Sequence, residues 1–291
     1  MEDIILSKIE ELKQHIQGEQ KIKINYKDFI IDVTAVPPPP KPILSIKQLD
    51  NKGEQTLISI LNRGDISLLS GLQKSRKTFF CSCIISSMIN GSYSNLLFSQ
   101  NVKKVAYIDT EQGDYHAGKT ANRIYNITKS NFHYFKLRTL TPIERKEIIE
   151  DFLLQNKDID FVIIDGLVDL IYDFNNLKES QDTIQWLMKL STTTDTHILS
   201  VLHTNIGDNA KKPRGHIGTI AMQIVETHLH IEKLKTEGRT LSLISANNTR
   251  DKEFNPFELE IDGLGIPHLY EHIEQEENII TINSNKSKYF S

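Results

Sequence analysis

Residues 64–90 read GDISLLSGLQKSRKTFFCSCIISSMIN, and the succession of apolar run, polar loop and apolar run within them decides the architecture. Gly64-Asp65 turns the chain into a short strand candidate, Ile66 to Ser70. The loop Gly71-Leu72-Gln73-Lys74-Ser75-Arg76-Lys77-Thr78 follows, and the apolar run from Phe79 reads as a helix. Strand, loop and helix in that order form the setting of a GxxxxGK[ST] phosphate loop, because backbone N–H groups and the helix N-terminus then converge on an anion. In that reading Gly71, Gln73, Lys74, Ser75, Arg76, Lys77 and Thr78 cradle the phosphates of ATP. Lys77 bridges the β- and γ-phosphates, and the Thr78 hydroxyl ligates Mg2+. One position departs from the pattern: Arg76 stands where glycine is expected before the lysine. If that position needs positive φ, a residue with a Cβ costs on the order of 1 kcal/mol there. That is small against multidentate phosphate binding, so nucleotide affinity is expected to survive, while the geometry for hydrolysis is less fixed. The alternative is a chance GxxxxxKT in a turn.

Two carboxylates downstream support the first reading. FVIIDGLVDLI ends a buried apolar strand with Asp165, from which a carboxylate can hold a magnesium-bound water beside the phosphate loop. Upstream of it, VAYIDTEQ ends another strand with Asp109, Glu111 and Gln112. Glu111 is placed to orient or deprotonate the attacking water. A solvated loop charge or a helix cap is the alternative for Glu111.

Short apolar strands alternating with amphipathic stretches from residue 43 onward predict an α/β fold, a mainly parallel twisted sheet flanked by helices. The strand candidates are Ile66–Ser70, Lys104–Asp109, His133–Leu137, Asp160–Asp165 and His197–His203, with helices expected near 76–90, 114–127, 142–156 and 180–194. Thr227–Lys235, Arg239–Asn247 and Phe257–Ile261 read as a C-terminal antiparallel extension. Ahead of this domain, assigned to residues 43–275, an appendage over 1–36 carries helical spacing at 3–17 and strand or hairpin alternation at 21–35. The proline-rich run 37–42 reads as a stiff polyproline linker, with a signalling-domain ligand as the alternative, and 276–291 as a polar tail.

The 291 residues suffice for one large α/β core. A charged fraction of 25% beside a hydrophobic fraction of 38% excludes a disordered chain. A net charge of -4 leaves no global basic footprint, so contact with nucleic acid must come from a local patch or from assembly into a ring. Cys81 and Cys83 stand in an apolar segment without a second ligand pair, which favours buried thiols over zinc. No basic leader and no membrane-length apolar run is visible, and a cytoplasmic, reduced protein is expected.

The order GLQKSRKT, YIDTEQ, FVIIDG and ILSVLHTN resembles the RecA-like P-loop ATPase core of hexameric replicative helicases of the DnaB and plasmid RepA type, and of KaiC-like ATPases, over about residues 43–265. The resemblance implies that Glu111 is the catalytic glutamate, that Asp165 is the Walker B aspartate, and that His203 with Thr204 senses the γ-phosphate. The run DTEQ-x3-H-x2-K-x3-R, with His116, Lys119 and Arg123, also resembles a RepA-like ATPase group on mobile elements of gut anaerobes. Ring ATPases of this kind present a basic residue to the neighbouring subunit's nucleotide, and Arg250 in TLSLISANNTRDKEF occupies a similar region. Asn248 stands where a lysine is frequent, and a plain surface arginine is the alternative. The loop 205–216, with Lys211, Lys212 and Arg214, corresponds to a channel-facing region suited to backbone phosphates of single-stranded DNA; a solvated loop is the alternative. The resemblance thus implies an ATP- and Mg2+-dependent homo-oligomeric ring, a hexamer, acting on single-stranded DNA. A nucleotide-gated assembly module with little turnover is the competing expectation.

Overall fold

The computed structural model describes residues 25–50, 52–206, 212–236, 239–250 and 253–272, and the chain divides into two compact units, Met1–Pro39 and Pro40–Ser291. The division falls inside the proline run. In the first unit, the described part of the segment read as strand or hairpin over 21–35 is instead a 3-10 turn at Tyr26–Phe29 followed by a bend. Local side chains account for the difference. Asn25 accepts from the Lys27 amide at 3.2 Å, and Asp32 accepts from the amide and hydroxyl of Thr34 at 2.9 and 2.6 Å. Such bonds satisfy the backbone without a ladder. The helix expected at 3–17 and the tail at 276–291 lie outside the described residues.

The second unit opens with β1 (Pro42–Leu49) and β2 (Gln55–Asn62), an antiparallel pair. β3 (Ile66–Gly71), buried along its whole length, leads into α1 (Lys77–Asn90), which ends at Gly91 with φ of 82°, a left-handed stop that glycine reaches without a Cβ penalty. β4 (Ser92–Tyr93) and β5 (Leu97–Ser99) complete a small sheet of order β2-β1-β5-β4. Then come β6 (Lys104–Asp109), α2 (Asp114–Thr128), β7 (His133–Lys136), α3 (Pro142–Gln155) and β8 (Ile159–Asp165). Thr141 and Glu144 form a reciprocal capping box ahead of α3, with Pro142 in its first turn. α4 (Leu177–Thr194), capped by Asn176, precedes β9 (His197–His203), α5 (Gly215–Ile224) and β10 (Thr227–Thr236). β11 (Arg239–Thr249), β12 (Phe257–Ile261) and β13 (Pro267–Glu271) follow.

The main sheet has the order β13-β12-β11-β10-β3-β9-β8-β6-β7. Its pairs from β10 through β3, β9, β8 and β6 to β7 are parallel, and β10 to β13 pair antiparallel. Alternate strand residues serve two cores. Leu69, Tyr107, Phe161, Ile163 and Val201 pack with α1, α2 and the small sheet on one face. Leu68, Ile108, Val162, Ile164 and Leu202 pack with α3, α4 and α5 on the other. Burial on both faces explains why the central strands read as continuous apolar runs. Strands also pair within 43–62, 92–99 and 267–271, and α5 runs through 217–224, segments where the sequence pattern predicts no element. Among the described residues no helix is long and apolar enough to cross a membrane.

Candidate functional site

The segment Gly71–Thr78, the candidate phosphate loop, leaves the C-terminal end of β3, and the tips of β6, β8 and β9 lie beside it. Gly71 is fixed by its surroundings: a Cβ there would run into the Ile231 carbonyl oxygen and approach the Ser75 hydroxyl to 2.7 Å. Ser75 N donates to Leu72 O at 3.1 Å, closing a turn. Arg76 has φ of 78°, so the backbone does adopt the left-handed conformation that glycine favours. Its guanidinium does not turn inward; Nη1 donates to the Thr240 carbonyl at 2.7 Å and ties the loop to β11.

Lys77 Nζ donates to the carbonyls of Gly71 and Leu72 at 3.0 and 2.9 Å and lies 3.0 Å from His203 Nδ1. Burial pulls its pKa down, opposed by Asp165 and Glu111. Thr78 Oγ1 donates to Asp165 Oδ2 at 3.1 Å. Asp165, buried at the end of β8, is pushed up to about 6 by burial, with the Tyr107 hydroxyl bond acting in the opposite direction. Glu111 is held below the ordinary carboxylate range, first by its bond to His203 and against its own burial. Its Oε1 lies 3.4 Å from His203 Nε2, so one imidazole bridges Lys77 and Glu111. The turn carrying Glu111 is organised by Asp109, whose Oδ1 accepts from the amides of Glu111 and Gln112 at 3.1 and 2.8 Å.

Thr204, one residue beyond β9, donates its amide to Gly71 O at 3.1 Å. Its own hydroxyl and that of Ser75 are buried without a hydrogen-bond partner among the described residues. The unsatisfied Ser75 hydroxyl beside Gly71 suits an oxyanion-rich guest. Thr78 and Asp165 together offer the hard oxygen donors that suit Mg2+.

A cleft of about 940 Å³ joins these groups, lined by Gln73, Lys74, Ser75, Arg76, Lys77 and Thr78 together with Glu111, Asp165 and His203. His116, Lys119 and Arg123 line it from α2, as their common helical face predicts. Arg123 is already engaged, stacked 3.9 Å over the Phe79 ring and donating to Ser82 Oγ at 3.3 Å. The opposite wall, Lys233 and the turn Ile261–Ile266, escaped sequence reading. Asp262-Gly263 marks a turn, but nothing local in the sequence places that turn against the phosphate loop.

Arg250 is not brought to this cleft. Thr249 pairs with Thr227 at the start of β10, level with the N-terminal half of β3, at the sheet end away from the loop. Its Nη2 donates to Ile224 O at 3.0 Å, Nη1 lies 3.8 Å from Asp65, and the side chain is 63% exposed. The cationic loop expected over 205–216 is shorter, because α5 begins at Gly215. Gly215 has φ of 74°, Gly218 packs on Pro213, and Ile217 and Ile220 bury against the core. Arg214 stacks 4.5 Å over Phe174, Lys212 is exposed, and Lys211 lies outside the described residues.

Solved structures share this fold. The RadB recombinase superposes with a TM-score of 0.51 at 14% identity, covering 74% of this chain and 93% of its own. A KaiC-like protein from the hyperthermophilic archaeon Pyrococcus horikoshii superposes with a TM-score of 0.51 at 12% identity, covering 72% and 91%. The fold is RecA-like. No family model matches the sequence, and no curated protein matches it. Within the RecA-like fold the segment Gly71–Thr78 follows a central strand, β3, and the cleft opens at the carboxyl ends of the parallel strands, where α/β sheets bind ligands.

Proposed function

We propose that this chain binds and hydrolyses ATP with Mg2+. The observation that carries the reading is the convergence of Lys77, Thr78, Asp165, Glu111 and His203 on one cleft behind a glycine-anchored loop. Gly71 to Thr78 wrap the phosphates, and Lys77 exchanges its loop carbonyls for β- and γ-phosphate oxygens. Thr78 and Asp165 would hold a magnesium ion, which would supply neutralisation of charge on the transferred group. Glu111, kept anionic by its low pKa, positions and deprotonates the attacking water. His203 and Thr204, next to Lys77 and Gly71, sense the γ-phosphate.

Within that reading the protein works as a RepA- or DnaB-like ring, a hexamer, moving on single-stranded DNA in replication or transfer of a plasmid or mobile element. The support is the motif order and Arg250, which lies away from its own phosphate loop and stays largely exposed beside Ile224 O and Asp65. One observation bears on a nucleotide-gated assembly module with little turnover: Arg76, where glycine is expected, carries a Cβ in a left-handed backbone and is tied to the Thr240 carbonyl. A steady-state ATPase assay with and without single-stranded DNA separates the two. Stimulated turnover supports the motor, and binding without turnover supports the module. Lys77→Ala is expected to abolish ATP binding in a folded protein; retained affinity would sink the phosphate-loop assignment.

A further inference from the structure

Beneath the cleft lies a pair of tyrosines whose hydroxyls the scheme above does not use. Tyr107 on β6 and Tyr134 on β7 are register partners, and their rings stack with centroids 4.9 Å apart and planes within 3°. Tyr107 is fully buried and its hydroxyl donates to Asp165 Oδ2 at 2.5 Å. Tyr134 donates to Asp109 Oδ2 at 2.7 Å. Asp109 and Asp165 are themselves register partners on β6 and β8, and Asp109 Oδ1 holds the amides of Glu111 and Gln112.

We propose that Tyr107 and Tyr134 form a positioning unit that aims Asp165 at the metal and holds the Glu111 turn in register with it, an inference resting on the nucleotide reading above. The hydroxyls of Tyr107 and Thr78 both address Oδ2 of Asp165, which leaves Oδ1 for a metal-bound water. Thr78 is the hydroxyl a metal claims, so Tyr107 is the donor that stays on Asp165. Burial pushes both phenols up, Tyr134 further by Asp109, so each remains an O–H donor at any working pH. Phenylalanine would fill either site and keep the stack, so packing alone gives no reason for two hydroxyls that each end on a site carboxylate. The stack sets the two hydroxyls, and the carboxylates they hold, on neighbouring strands in one register.

Mn2+ uptake by the full-length protein with ADP, followed by electron paramagnetic resonance, tests this in Tyr107→Phe and Tyr134→Phe. Tyr107→Phe is expected to weaken Mn2+ binding by about 10-fold, the low end of the range for loss of an outer-sphere partner, while metal-free ADP affinity is kept. Tyr134→Phe is expected to keep Mn2+ affinity and slow single-turnover hydrolysis, since its hydroxyl holds Asp109, whose other oxygen accepts from the Glu111 amide. Wild-type Mn2+ affinity in Tyr107→Phe overturns the unit, as does equal loss of metal and metal-free nucleotide binding, the mark of a merely structural tyrosine. Unchanged hydrolysis in Tyr134→Phe also overturns it, so either variant decides if the other fails to fold. Wild-type protein that binds no ADP at all overturns the nucleotide site itself, a distinct outcome.

Discussion

Replacing Arg76 by glycine and by alanine separates two opposing contributions at one position. The backbone of Arg76 sits at φ of 78°, where a Cβ costs about 1 kcal/mol relative to glycine. Against that cost stands the bond from Nη1 to Thr240 O at 2.7 Å, worth about 0.5–1.5 kcal/mol net and toward the lower end at a partly exposed site. Glycine removes both, so Arg76→Gly should lie within about 1 kcal/mol of wild type. Alanine keeps the strain and loses the bond, so Arg76→Ala should be about 1 kcal/mol less stable than Arg76→Gly. At this chain length that is a difference in Tm of about 2–4 °C, measurable by calorimetry and checked by urea titration. Nucleotide affinity should be retained in both variants, because the guanidinium is committed to Thr240 rather than turned into the cradle. Equal stability of the two variants would refute the left-handed assignment. Loss of nucleotide affinity in both would show that Arg76 holds phosphate and that its bond to Thr240 is incidental.

Glu111→Gln should bind ATP normally and lose turnover by about 10²- to 10⁴-fold, the span of a positioned base; wild-type hydrolysis would reduce Glu111 to a surface carboxylate. Mixed rings of Arg250→Ala and Lys77→Ala should recover activity at interfaces that pair an intact phosphate loop with a donated Arg250. No recovery in verified mixed rings would mean that Arg250 serves its own subunit or none. His197 is fully buried, stacks on Phe161 and lies 2.5 Å from Asn62 O through Nδ1, and burial pulls its pKa down to about 4. The unfolded chain therefore takes up a proton near pH 6.5 that the folded chain refuses, so this stability is present above that pH and is lost as pH falls toward 4. The loss reaches about 3 kcal/mol at 1.36 kcal/mol per pKa unit. Urea titrations of wild type and His197→Gln at pH 7 and pH 5 should show a shallower acid loss in the variant; identical slopes would show that His197 is solvated.

The sequence by itself determined the elements that carry the cleft. Ile66–Ser70, Phe161–Ile164 and His197–Leu202 are apolar because both sheet faces are covered. In such a sheet the first polar residues after each run must emerge at one end, which is why Gly71 to Thr78, Glu111 and Asp165 could be named from local pattern, whereas His203 was named through the resemblance to RecA-like ATPases. Arg76 could be flagged as a departure, but its positive φ and its bond to Thr240 depend on where β11 runs, 164 residues away in the chain. Tertiary structure alone decided that Tyr107 and Tyr134 stack, since in sequence each is an ordinary strand aromatic and only the parallel register of β6 and β7 sets them face to face. It also decided that the Ile261–Ile266 turn walls the cleft, and that Arg250 sits at the far end of the sheet beside Ile224. Spacing along a strand fixes which face a residue takes, but which residues meet across strands is set by sheet order and register, and those are settled only when the core packs.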